Sequence, residues 1–112
     1  QLIRKIKGGG KRIIGYGASG RATIHLNFCN FGPEIIDYVI DASPERYGRF
    51  VPGTRNPIYP PEKLGEDKPD YALLFAYNYL NEIMSKEKRF LEQGGKFIVP
   101  VPEPKIIDAS TF

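Results

Sequence analysis

The chain has 112 residues, 41% of them hydrophobic and 26% charged, which suits one small globular domain with a single core. Its 16 basic and 13 acidic residues leave a net charge of +3, too mild an excess to mark a nucleic-acid surface, and no basic run is interleaved with stacking aromatics. The lone Cys29 excludes an internal disulfide, one cysteine with one histidine argues against a metal cluster, and no apolar run approaches the roughly 20 residues of a membrane span, so a cytoplasmic protein without membrane or nucleic-acid partners is expected.

The chain opens on Gln1 rather than Met, and residues 1–7 read as the end of a helix stopped by Gly8, Gly9 and Gly10. Residues 1–10 are therefore expected to be the tail of a truncated preceding helix and a linker, 11–104 the domain proper, and 105–112 a tail. Residues 11–16 form a short strand with β-branched Ile13 and Ile14 at its centre. A helix follows over 19–30 and stops near Gly32-Pro33. Residues 35–41 read as a nearly continuous apolar strand, the pattern of a parallel strand covered on both faces.

Residues 42–61 are punctuated by Pro44, Gly48, Pro52, Gly53, Pro57, Pro60 and Pro61 and read as an ordered loop with one short strand around 56–59. Residues 61–64 offer one helical turn with proline near its start. Residues 71–76 form the third clear strand, 78–93 a helix ended by Gly94-Gly95, and 96–99 the last clear strand. Strands alternating with helices predict an α/β, Rossmann-like three-layer domain with a short, mainly parallel sheet. Ligands on such sheets bind at the carboxyl ends of the strands, near the switch in strand order.

Gly15-x-Gly17-x-x-Gly20 follows a strand and opens a helix, the context a phosphate-cradling glycine loop requires. Gly15 would permit a tight turn, Gly17 the approach of an anion, and Gly20 close helix–strand packing. Tyr16, Ala18 and Ser19 fill the same loop, and the helix start beyond them favours a phosphate. Arg21 is either a bidentate phosphate clamp or a solvated surface residue. Asp41, about 20 residues further on, stands where dinucleotide folds place a ribose-binding acid, and it equally suits capping of the next turn. Asn78 sits at the same edge and is either the cap of the following helix or, with Tyr79, a substrate contact. His25, two turns into the helix on a polar flank, reads as a surface or half-buried histidine rather than a catalyst, and Cys29 as a small buried hydrophobe rather than a nucleophile. Ala22, Leu26 and Cys29 share one stripe of that helix. Ile24, Phe28 and Phe31 share a second stripe nearly opposite, more than a sheet-covering helix needs.

Five segments together carry a more specific signal: 15–22 (GYGASGRA), 36–44 (IDYVIDASP), 48–54 (GRFVPGT), 76–83 (AYNYLNEI) and 94–100 (GGKFIVP). In this order and spacing they resemble the C-terminal domain of S-adenosylmethionine-dependent C-methyltransferases acting on nucleotide-linked deoxysugars, over residues 10–104. Arg46 stands where the resemblance leads one to expect lysine, and Asn56 where it leads one to expect an aliphatic residue. The resemblance implies a parent enzyme in which a zinc-binding domain and a methyl-donor-binding catalytic domain precede this one. S-adenosylmethionine and structural zinc would then lie in those domains, with no cofactor in this chain. By the same resemblance this domain helps hold the nucleotide-sugar and is inactive alone, its partners being that substrate and the preceding catalytic domain. The alternatives are a free-standing NAD(P)- or nucleotide-binding module, which the loop and Asp41 favour, and an interaction domain without a ligand.

Overall fold

The computed structural model describes residues 2–75, 79–99 and 105–111. Five parallel strands and one antiparallel strand make a sheet in the order β3-β2-β1-β4-β5-β6, where β1 is Ile13–Tyr16, β2 Val39–Ile40, β3 Ile58–Tyr59, β4 Tyr71–Leu74, β5 Lys96–Val99 and β6 Lys105–Ile107. The helices are α1 (Leu2–Gly8), α2 (Gly20–Cys29), α3 (Glu62–Asp67), α4 (Leu80–Lys86) and α5 (Lys88–Glu92). The chain steps outward from β1 through β2 to β3, then returns past β1 to β4. The order therefore reverses between β1 and β4, as a doubly wound α/β sheet requires.

The strands are apolar on both faces because both faces are covered. Ile13, Val39, Leu73, Phe75 and Ile98 point to one side and pack with Ile3 of α1 and Ala22 and Leu26 of α2. Their neighbours Ile14, Ile40, Ala72, Leu74, Phe97 and Val99 point to the other and pack with Leu64 of α3, Met84 of α4 and Phe90 and Leu91 of α5. The period-2 alternation of each strand thus feeds two cores, one per layer of helices. Helix α1 belongs to the first of them, since Leu2, Ile3 and Ile6 all pack there.

Three elements differ from the expectation. The second strand is shorter than 35–41, because the amides of Ile35 and Ile36 both turn back to the Gly32 carbonyl. Only from Asp37, which donates to Ile13 O, does the chain run along the sheet. The helix expected over 78–93 is two helices, broken at Glu87, where the carboxylate accepts the Tyr16 hydroxyl. Its expected first residue, Asn78, and the last residue of the third strand, Ala76, lie outside the described residues. The third difference is β6, unread in the sequence, which pairs antiparallel with β5 and buries Ile107.

Phe31 corrects the two-stripe reading of α2. Asn30 takes a left-handed conformation (φ 57°) that asparagine tolerates, and the amide of Phe31 closes on Leu26 O. The chain turns there, so Phe31 enters the core instead of extending the outer stripe. Asn56 has a similar fixing role. Fully buried, its amide donates to the carbonyls of Phe31 and Ile36 at 3.1 and 2.9 Å, tying the loop before β3 to the turn before β2. An aliphatic side chain could not make those bonds.

Candidate functional site

The carboxyl ends of β1 and β2 open into a cleft of about 270 Å³. Its walls include Tyr16 and Gly17 from β1 and its exit, Asp41, Ser43 and Arg46 after β2, and Ile83 and Lys86 from α4. The cleft lies on the strand edge that the topology marks for ligands.

The three glycines of the loop do different things from those their spacing predicts. Gly15 is not at the turn. It is a buried strand residue, and a Cβ there would meet Val39 Cγ2 at 3.0 Å and Phe75 Cε2 at 3.1 Å, so it is the close-packing glycine. Gly17 makes the turn, with φ +100°, a conformation that L side chains rarely adopt. Its own amide donates to Ile40 O at 2.7 Å and so is spent on the sheet. Gly20 packs against nothing within 4 Å of its Cβ direction and stands exposed at the start of α2. Gly17→Ala is therefore expected to cost about 1–3 kcal/mol, the price of a strained φ, whereas Gly20→Ala should be neutral or slightly stabilising. Urea denaturation of the two variants distinguishes these roles from the reverse assignment. The same strain makes Gly17→Val a poor probe of ligand binding, since it would damage the fold as well.

Asp41 is the organising residue of the loop edge. One carboxylate oxygen accepts the Ala18 amide at 2.7 Å and the Arg46 guanidinium at 3.0 Å, and the other accepts the Ser43 amide at 2.8 Å. The side chain is 9% exposed. Burial opposes its ionisation, but the bonds from Ala18, Ser43 and Arg46 outweigh that and hold its carboxyl below the usual carboxylate range. Asp41 thus caps the turn that follows β2 and ties it to the glycine loop. Of the loop's amides, those of Gly17 and Ala18 are engaged inside the protein. The opening turn of α2 is not capped by the Ser19 side chain, and a helix start of this kind favours an anion.

Tyr16, at the mouth of the cleft, gives its hydroxyl to Glu87 and stacks edge-on against Phe97 at 5.7 Å. Burial, reinforced by the Glu87 carboxylate, raises its pKa far out of the physiological range, so it is a fixed neutral wall. The other sequence candidates scatter. Ser19, Gly20 and Arg21 are exposed around the helix start, and Arg21 opens toward Ile24, His25, Phe28 and Cys29 rather than into the cleft. Tyr79 is exposed at the N-terminal end of α4, and Asn78 lies outside the described residues. His25 packs edge-on against Phe75, and burial lowers its pKa. Burial raises the Cys29 thiol, opposed by Arg4. His25 is half-buried, within its expected range, whereas Cys29 is half-buried rather than fully buried.

Ser43, Arg46, Ile83 and Lys86 were not candidates from sequence. Arg46 had only its departure from the expected lysine to mark it. Lys86 comes from a helix far along the chain, and no local pattern couples it to the glycine loop.

Residues 1–102 match the family model of the C-methyltransferase C-terminal domain. The chain belongs to that family. Over 111 residues it is also 42% identical to the C-methyltransferase NovU of Streptomyces niveus, an overlap of 99% of this chain and 26% of that protein. The chain thus spans about a quarter of the length of the curated relative it matches. For a C-methyltransferase C-terminal domain, the matched segment takes in α1 as well as the glycine loop and cleft, in keeping with the packing of α1 into the first core. No described helix is long and apolar enough to cross a membrane.

Proposed function

We propose that this domain is the substrate-side part of an S-adenosylmethionine-dependent C-methyltransferase acting on a nucleotide-linked deoxysugar. In this reading it helps hold the nucleotide-sugar at the loop edge of its sheet. Family membership supports the methyltransferase half. The observation that carries the other half is the juxtaposition, at one sheet edge, of the start of a ten-residue helix that the Ser19 side chain does not cap with a cleft bordered by Arg46 and Lys86. Backbone donors, the positive end of a helix dipole and two cationic side chains are what a diphosphate needs.

S-adenosylmethionine, held by residues outside this chain, supplies the methyl group. The residues here bind and orient. Asp41 fixes the loop after β1 against the loop after β2, Arg46 is aimed by its bond to Asp41, and Tyr16 with Glu87 sets the far wall. A free-standing dinucleotide module is the weaker alternative. A ribose-binding acid must turn an open carboxylate to the sugar, and both oxygens of Asp41 are already engaged by Ala18, Ser43 and Arg46. Calorimetric titration with a thymidine-diphosphate sugar, the free nucleoside diphosphate, NAD and S-adenosylmethionine tests the proposal. The two diphosphates should bind and the other two should not. Binding of NAD in preference to the sugar nucleotide would favour the alternative, and tight binding of S-adenosylmethionine would overturn the assignment of the donor elsewhere.

A further inference from the structure

Helix α2 has an outer face that does not suit water. Its inner stripe, Ala22 and Leu26, is fully buried, yet Ile24 is 73% and Phe28 90% exposed. The outward face of a surface helix is normally charged. The exposed sides of α4 and α5 follow that rule with Glu82, Lys86, Lys88, Arg89 and Glu92, whereas Arg21 is the one charged residue in the sequence of α2. Ile24 and Phe28, one helical turn apart, line a shallow apolar depression with His25 and Cys29.

What covers this face follows from where α1 lies. Arg4 donates to the Cys29 carbonyl at 3.0 Å and sits over the Phe31 ring at 5.3 Å, while Leu2, Ile3 and Ile6 pack into the core that α2 covers. Polypeptide on the N-terminal side of α1 therefore arrives beside the C-terminal end of α2, next to Phe28. The family is that of a C-terminal domain, and most of the length of the matched relative lies outside the shared segment. A preceding domain tethered at α1 meets the Ile24–Phe28 face at high effective concentration.

We infer that the Ile24–Phe28 face of α2 is the docking surface for the domain that precedes this one in the full-length enzyme. Exposed apolar patches on otherwise polar surfaces mark such contacts, and this one begins a single turn from the glycine loop, so the docked domain stands beside the ligand edge. The inference rests on this domain being one part of a longer methyltransferase but not on its sugar ligand, so it is tested without nucleotide. Hydroxyl-radical footprinting compares the full-length protein translated from the reading frame that carries these residues with the 112-residue chain. Phe28 and Ile24 should be oxidised several-fold more slowly in the full-length protein, while Ile106, exposed on β6 at the far edge of the sheet, reacts equally in both. Equal reactivity of Phe28 in the two proteins would overturn the inference. So would protection of Phe28 in the 112-residue chain that grows with its concentration, which would make a second copy the occupant. Phe28→Asp, at a position whose side chain the domain itself leaves in solvent, should leave the 112-residue chain folded and loosen the full-length protein to protease between α1 and the preceding domain.

Discussion

Phe97→Ala is expected to destabilise the domain by about 3–5 kcal/mol, the cost of removing a buried aromatic and leaving a cavity. Phe97 lies in β5 with no exposed surface, and its ring meets both Tyr16 at 5.7 Å and Phe90 at 5.5 Å. It therefore joins the central strand, the α5 layer and the mouth of the cleft. Domains of this size have about 5–15 kcal/mol of stability in all, so one such change removes a large share. Chemical denaturation checks this, with a lowered midpoint at unchanged slope. A loss below about 1 kcal/mol would mean that the second core does not depend on this ring.

Asp41→Ala is expected to cost about 2–4 kcal/mol, because it strips partners from the Ala18 and Ser43 amides and from the Arg46 guanidinium at once. The effect should depend on pH in a definite direction. The folded carboxyl titrates below the unfolded value of 3.8, so its stabilisation is fully present above that value and drains away as the pH falls through the folded one. Asp67, whose carboxyl is held low by the Arg12 guanidinium and, against the opposing pull of burial, by Tyr38, adds to the same acid-side loss. Denaturation midpoints measured from neutral pH down to about 3 should fall steeply for the native chain and less steeply for Asp41→Asn. Parallel curves would show that Asp41 is not the pin described.

Much of this architecture was legible because it is written in short-range pattern. Ile13 and Ile14 in a β-branched run, a glycine loop before a helix, and Lys96–Val99 bounded by glycine and proline are local signals, and each element formed where it was read. What failed depends on partners remote in sequence. Nothing near Glu87 announces a helix break, and the partner its carboxylate holds there, Tyr16, is 71 residues away. The role of Asp41 was open between ribose and turn until Ala18 and Arg46 were seen on its oxygens. Gly15 took the packing role expected of Gly20, and Gly17 the turn expected of Gly15, because glycine spacing does not reveal that Val39 and Phe75 crowd the first and nothing crowds the last. Ile24 and Phe28 could be placed on an outer stripe from the helical angle alone, whereas Phe31 could not, because Asn30 ends the helix before it.

The central claim is that this domain holds the sugar nucleotide, and not the methyl donor, at the start of α2. Gly20→Glu tests it directly. Gly20 is exposed with open space around it, and an acidic residue in the first helical turn favours the helix, so the fold should be kept or strengthened. The same charge would repel a diphosphate. In steady-state methyl transfer by the full-length protein, the KM for the sugar nucleotide should rise at least several-fold while that for S-adenosylmethionine stays unchanged. An unchanged KM for the sugar nucleotide, or a rise confined to S-adenosylmethionine, would contradict the account.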